Sequence, residues 1–466
     1  MSTQRLLVSA LITALVTSCA VLPEPKRDEI QQKSVVLANL KLANAWKAGS
    51  ANGSIEDNWI ASFNDKQLDA MVAEAMLNNP DLLVAATRVE QSALYVDLAK
   101  AALKPVIGFG GTGGGKMGGG EALQAAVLGI SWEIDLWGRI RYGRNAAMAD
   151  YDSAQADFQF ARQSLAALVA KSWFTVNETW LQQKLAADVV KSSQKLVDLA
   201  KQRRQVGVGS EYDVALAIAN LSSLQDSEKQ VQLAHSQSLR AMELILGRYP
   251  AAELAASHQL TSFPNDMPAG LPLEMLERRP DIIAAERRVA AAFDRVGEAK
   301  AARLPQITLS ANIASLKSDI LELQSGFSNP TGGFGAKLLA PIYQGGALQA
   351  QVEIRTVQQK EAVLQYAKTA LRALGDVESA LALSQTLSER EVLLTNIVAE
   401  NQRAFQFAVS NYTIGNGDAR AVEQQRLSLY STQLALLRIQ SEKLSQRANL
   451  YLALGGSFET VETASQ

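Results

Sequence analysis

The stretch Leu128-Gly129-Ile130-Ser131-Trp132-Glu133-Ile134-Asp135-Leu136 alternates apolar with polar or small residues along its whole length. A period of two puts Leu128, Ile130, Trp132, Ile134 and Leu136 on one face of a β-strand, and Ser131, Glu133 and Asp135 on the other. Residues 106–112 form a weaker companion, with Ile107 and Phe109 on one side and glycines elsewhere. Further along, Ile307, Leu309, Ala311 and Ile313 alternate with Thr308, Ser310 and Asn312, and Ala336, Leu338, Ala340 and Ile342 make a fourth apolar row. Half-buried strands of a soluble sandwich carry the same alternation. About nine to eleven residues is also the length a tilted transmembrane strand needs, and lipid tolerates no open sheet edge. Closed barrels begin at about eight strands, so a chain that supplies four must share its barrel with further copies. On this reading Leu128, Ile130, Trp132, Ile134, Leu136, Ile307, Leu309, Leu338 and Ile342 face lipid. Glu133 and Asp135 face a wet lumen, and residues 110–120 and 316–333 are the exposed hairpin loops.

Composition alone would describe an ordinary soluble protein. The chain has 466 residues, is 47% apolar and 20% charged, and carries a net charge of -2 with a pI near 6.0. Near-neutrality removes the electrostatic case for a nucleic-acid binder. One cysteine excludes an intrachain disulfide and a cysteine-based zinc site, and the two histidines, His235 and His258, stand too far apart in sequence to suggest a metal centre. The glycines of residues 110–120 lack the Gly-Lys-Ser/Thr ending of a phosphate loop. The eight methionines are scattered, as core filling requires. No nucleophile–base spacing emerges, so the chain reads as a non-enzyme without metal or cofactor.

The breakers are unevenly placed. Nine of the thirty glycines fall within residues 108–120, and no proline occurs between Pro105 and Pro250 or after Pro341. Such spans predict very long helices, which need partners because an isolated helix of that length frays.

Arg5 precedes an apolar run over residues 6–16, too short for a membrane span and the right size for a signal-peptide core. Behind it stands Val16-Thr17-Ser18-Cys19, with the sole cysteine at the position where a bacterial lipobox places its lipid-bearing residue. A plain secretory signal with an incidental cysteine is the competing reading. Lipid on Cys19 would fix the protein to a membrane face.

The chain is also written twice. A shift of 200 lays Pro80-Asp81 on Pro280-Asp281, Arg88-Val89 on Arg288-Val289 and Ala99-Lys100-Ala101-Ala102 on Ala299-Lys300-Ala301-Ala302; a shift of 208 lays Gly207-x-Gly209 on Gly415-x-Gly417 and Leu246-Gly247 on Leu454-Gly455. Each copy predicts a helix (residues 80–104 and 280–304) with proline in its first turn. Two strands follow, then a helix of roughly 60 residues approaching 100 Å, and after a Gly-x-Gly break a shorter helix. The divisions are residues 1–18, signal peptide; 19–60, lipidated segment; 61–260, first repeat; 261–456, second repeat; and 457–466, tail.

Set in this order, several motifs resemble the TolC-like outer-membrane efflux factors, in particular their NodT-type lipoprotein branch. They are the lipobox at Cys19, Trp59-x3-Phe63-x-Asp65-x2-Leu68, Asn79-Pro80-Asp81-Leu82 and Trp132-Glu133-x-Asp135-Leu136-Trp137-Gly138-Arg139. Arg279-Pro280-Asp281-Ile282, Leu304-Pro305, Pro341-Ile342-Tyr343-x-Gly345-Gly346 and Leu454-Gly455-Gly456 complete the set. The resemblance implies a mainly α protein with transmembrane β: a homotrimer whose twelve strands form an outer-membrane barrel continuous with a twelve-helix periplasmic tunnel. It implies an exit duct that docks a periplasmic membrane-fusion adaptor and an inner-membrane transporter, often of the proton-driven RND class.

The resemblance also implies that the Gly-x-Gly turns mark the periplasmic end, where acidic side chains from several chains can ring the pore. The aspartates often found there are missing from Asp418-Ala419-Arg420-Ala421-Val422-Glu423-Gln424-Gln425. Asp418 and Glu423 are the substitute gate candidates, with Arg420 as an ion-pair partner, and Glu211 and Asp213 are the candidates at the first turn. Helix caps and solvated faces account for the same charges. A lipid-anchored periplasmic coiled-coil scaffold or adaptor without a barrel is the alternative function.

Overall fold

The computed structural model describes residues 21–26, 29–30, 34, 46–48, 57–114, 123–261, 272–318 and 331–458. The expected signal peptide, Cys19 and the greater part of both hairpin loops lie outside the described residues.

A short 3-10 helix, Trp59–Phe63, precedes α1 (Lys66–Asn78), α2 (Pro80–Ala101), β1 (Val106–Thr112), β2 (Leu123–Ile134), α3 (Arg139–Gln205) and α4 (Glu211–Ile245). The second copy supplies α5 (Pro272–Arg278), α6 (Pro280–Ala301), β3 (Gln306–Ser318), β4 (Thr331–Leu339), α7 (Ala347–Thr413) and α8 (Ala419–Ala453). The copies agree in length: 22 residues in α2 and α6, 67 in α3 and α7, and 35 in α4 and α8. None of these helices is long and apolar enough to cross a membrane.

Helix ends sit where the sequence supplies caps. Asp65 accepts from the backbone N–H groups of Gln67 and Leu68 and opens α1, while Pro80 and Pro280 open α2 and α6, where a missing donor costs nothing. Ser210 and Asp213 close a reciprocal capping box on α4. Gly207, Gly415, Gly247 and Gly455 take positive φ just past the ends of α3, α7, α4 and α8.

The chain divides into two compact units, each drawing on both copies. One comprises Met1–Leu40, Thr87–Asp157 and Asp281–Thr369. It holds the sheet, four antiparallel strands in the order β1-β2-β3-β4, with β1 and β4 as its edges. Beside the sheet, α6 lies on the start of α3: Ala149, Ala290 and Ala291 are buried together, and Arg295 and Arg288 pair with Asp150 and Asp157. The N-terminal segment is tied here too, Leu22 N–H donating to the Tyr142 hydroxyl at 2.9 Å.

The other unit comprises Lys41–Ala86, Phe158–Pro280 and Ala370–Gln466. Trp59 stacks on Tyr451 with centroids 5.2 Å apart, and Phe63 meets Phe174 at 5.1 Å. Asp65, besides capping α1, accepts from the Trp173 indole at 2.8 Å, so a buried tryptophan keeps its hydrogen bond. Towards the Gly-x-Gly turns, Val197, Ala200, Val214, Ala217 and Leu221 join α3 to α4, and Leu196, Tyr412, Ala419 and Val422 join α3 to the end of α7 and the start of α8. These small contacts every three or four residues are what lets helices of this length lie side by side.

Candidate channel wall and turn-end cluster

The strand register places the expected apolar rows on one face, while Val106, Val127 and Leu339 fall on the other. Ile107 stands opposite Ile130, Ile130 opposite Ala311 and Ala311 opposite Phe334; Ile134 stands opposite Ile307 and Ile307 opposite Leu338. Leu128, Trp132, Leu309 and Ile313 share that face by the same register. In a single chain it is bare: Phe334 is 96% and Phe109 76% exposed. The opposite face carries Ser131, Glu133, Thr308, Ser310, Asn312 and Lys337, with Glu133 and Lys337 on either side of Thr308.

Four expected strand residues, Asp135, Leu136, Ala340 and Ile342, fall outside the strands. Asp135 and Leu136 lie past the last residue of β2, and Ala340 and Ile342 lie past the last residue of β4. Asp135 serves the start of α3: it accepts from the N–H groups of Ile140 and Arg141 at 2.9 Å each and pairs with the Arg141 guanidinium at 3.1 Å. The positive end of α3 ends the alternation there, because three donors reward a turn more than one further ladder bond would. Glu133 stays in β2, yet its carboxylate is gripped by Arg139 through both oxygens, at 2.9 and 2.8 Å.

At the Gly-x-Gly turns the five gate candidates lie at the starts of α4 and α8, and two of them are helix caps. Asp418 caps α8, accepting from the Arg420 N–H at 3.0 Å. The Arg420 guanidinium donates to the Tyr212 hydroxyl at 2.8 Å, with its carbon 5.6 Å from the Tyr212 ring centre. Glu423 is buried and pairs with Arg426, itself 2% exposed. Arg426 Nε and Nη1 have no partner, and burial pushes the guanidinium down to about 10. Glu211 pairs with Arg204 at the surface, and Asp213 completes the capping box. The ion pair expected for Arg420 is therefore replaced by a hydrogen bond to a tyrosine of the first copy.

A second tie was missed. Arg203 Nη1 donates to the Tyr412 carbonyl at 2.5 Å, and the same guanidinium lies 4.6 Å from the centre of the Tyr412 ring, linking the ends of α3 and α7. Arg426 was legible as the (i, i+3) partner of Glu423. Nothing local marks Tyr212 or Tyr412. Among the described residues no group of three His, Cys, Asp or Glu side chains is placed to hold a metal ion.

The chain is 29% identical to the probable efflux pump outer membrane protein TtgC of Pseudomonas putida, over 100% of this chain and 98% of TtgC. It is 28% identical to the cation efflux system protein CusC of Escherichia coli K12, over 98% of this chain and 100% of CusC. Its fold is similar to the crystal structure of the outer membrane protein VceC of Vibrio cholerae, with a TM-score of 0.78 and 26% identity over 87% of this chain and 100% of VceC. The model of outer membrane efflux proteins matches residues 71–248 and 271–456, one segment in each copy. The duplicated helices, the shared sheet and this match over both copies agree, and the chain belongs to the outer membrane efflux protein family.

Proposed function

We propose that this chain is the outer-membrane exit duct of a tripartite efflux system, and that three copies close a twelve-stranded barrel above a twelve-helix periplasmic tunnel. The observation that carries this reading is the four-stranded sheet, whose two edges are unpaired among the described residues and whose apolar face is bare in a single chain. Lipid covers such a face, and closure with further copies removes the edges. Lipid on Cys19 holds the chain at the outer membrane. Lys337 and the Glu133–Arg139 pair line the water-filled side of the sheet, while the Leu128, Ile130, Trp132, Ile134, Ile307, Leu309 and Leu338 face meets acyl chains.

The Gly-x-Gly end is the gate and docking end in this proposal. The Arg420–Tyr212 and Arg203–Tyr412 ties hold it closed, and a periplasmic adaptor, bridging to an inner-membrane transporter of the RND class, releases them. Asp418, Glu423, Glu211 and Asp213 shape the helix ends that the ties connect. Cargo is chosen by the pump and adaptor, which is why relatives named for different cargoes share one wall.

The purified lipoprotein in a planar bilayer tests this. A heat-modifiable, SDS-resistant oligomer with discrete single-channel openings is expected. A monomer that never conducts would leave the barrel-free scaffold as the reading.

A further inference from the structure

Residues 21–26 read Val-Leu-Pro-Glu-Pro-Lys. Two prolines in six positions hold the backbone extended and leave few N–H groups to satisfy, so the segment loses little freedom when it lies along a surface. Three contacts tie it to α6 and the start of α3. The Val21 Cγ2 methyl stands 2.8 Å from where a Cβ on Gly138 would be, so the glycine is what admits it. The Leu22 N–H donates to the Tyr142 hydroxyl at 2.9 Å, and the Glu24 carboxylate lies 3.7 Å from the Arg287 guanidinium. The Tyr142 ring in turn packs on Gly297 of α6, where a Cβ would stand 2.6 Å from it.

Steps of three and four residues put Arg287, Ala290, Ala291, Asp294 and Gly297 on one stripe of α6. The segment touches this stripe at Arg287 and, through Tyr142, at Gly297. Between the two points lies Asp294, which is 0% exposed and whose two oxygens have no hydrogen-bond partner. The charged and titratable groups around it are Glu24 on the segment, Tyr142 and Arg144 on α3, and Arg287 and Glu298 on its own helix. Arg144 attracts the carboxylate, yet its Nε and Nη2 donate to Asn145 at 3.2 and 2.8 Å, and Glu24 repels it. Burial, aided by Glu24, pushes the carboxyl up to about 7. The site under the segment suits the neutral acid and not its anion.

We infer that residues 21–26 are a pH-dependent strap, docked on α3 and α6 while Asp294 is protonated and loosened as that carboxyl ionises. Undocking lets water reach the carboxylate and takes the Glu24 charge away from it, so the released state prefers the ionised form. A hydrated carboxyl titrates near its ordinary value of about 4. Docking therefore takes up a proton between about pH 4 and 7. Its equilibrium constant falls as pH rises through that window, by up to about tenfold per pH unit, and levels off above it. The strap lies within one chain and stands whether or not several copies close a duct. Its consequence does rest on the proposed lipid on Cys19, two residues before Val21. Loosening lengthens the tether between lipid and wall by the strap itself, roughly 20 Å of extended chain, so acid holds the anchor close and mild alkali gives it slack.

Hydrogen exchange on the full chain in detergent tests this, because the Leu22 amide bonds to Tyr142 only when the strap is docked. After correction for the intrinsic rate, its protection factor is expected to fall between pH 5 and 8 by as much as about a hundredfold. Protection of the α6 amides around Asp294 should hold over the same range; a parallel fall there would mean that the helix opens rather than the strap, and would overturn the inference. Asp294→Asn keeps the shape without the charge and should make Leu22 protection independent of pH. Equal wild-type protection at pH 5 and 8, or the same fall in Asp294→Asn, would also overturn it. Glu24→Gln carries the test if the Asn variant fails to fold. It removes the repulsion and should narrow the ratio of protection between pH 5 and 8, even though the contact with Arg287 weakens at both. A ratio as large as that of the wild type would show that strap and carboxyl do not meet.

Discussion

Tyr212 and Arg420 hold the same position in the two copies, 208 residues apart, and are hydrogen-bonded to each other, Arg420 Nη2 to the Tyr212 hydroxyl at 2.8 Å. Two copies of either residue alone would make no such bond, so the divergence of the halves created it. Replacing Tyr212 by Phe removes the acceptor, and Arg203→Ala removes the second tie. The double variant is expected to raise single-channel conductance severalfold in planar bilayers, with each single variant intermediate. Unchanged conductance in all three would remove these ties from the gate.

The Glu423–Arg426 pair is buried on both sides. Glu423→Ala strands the guanidinium and is expected to cost about 3–5 kcal/mol, whereas Glu423→Leu with Arg426→Met removes both charges and should be close to neutral. Thermal unfolding of the detergent-solubilised protein separates the two cases, and equal losses would show that packing rather than charge holds this part of α8.

Gly247 and Gly455 both sit at positive φ, but in different surroundings. A Cβ on Gly247 would stand 2.5 Å from the Asn78 carbonyl oxygen, a backbone atom, while the nearest neighbour of one on Gly455 is the Arg279 Cγ at 3.1 Å. Both alanine variants bear the left-handed strain of about 1–2 kcal/mol. Gly247→Ala adds a clash that only a shift of the α1–α2 junction relieves, so it should unfold at the lower temperature.

Asp294 on α6 is fully buried, neither of its oxygens has a hydrogen-bond partner, and burial, with Glu24 nearby and Arg144 opposing, pushes its carboxyl up to about 7. The unfolded chain loses this proton near pH 4, so between about pH 4 and 7 the native state holds a proton the unfolded state has released. Stability should fall as pH rises through that window and level off above it. Asp294→Asn is expected to flatten the slope and to gain on the order of 4 kcal/mol at pH 8 at most. A wild-type slope that persists in the variant would assign it to another group.

Much of this was legible because it repeats or alternates. The prolines at 80 and 280 and the paired glycines fix helix ends in both copies, and the alternation through Leu128, Ile130 and Trp132 predicts one face of β2. The pattern overran at Asp135 and Leu136, where a helix N-terminus competes with a ladder bond, and at Ala340 and Ile342, which flank Pro341, a residue with no N–H to give a ladder. Partners brought together by the fold were harder. Tyr212 and Tyr412 lie about 200 residues from the arginines they meet, and Asp294 looks like any polar residue on a helix until its surroundings are known.

The equal lengths of α3 and α7, 67 residues each, carry an evolutionary consequence. One residue inserted into α3 alone would carry its turn about 1.5 Å further along and swing every later side chain by roughly 100°. Arg203 would then no longer reach Tyr412, nor Tyr212 reach Arg420. Substitutions can accumulate independently in each half, as the Tyr212 and Arg420 positions show, but changes of length have to occur in both halves together. Drift in this chain is therefore free in composition and locked in phase.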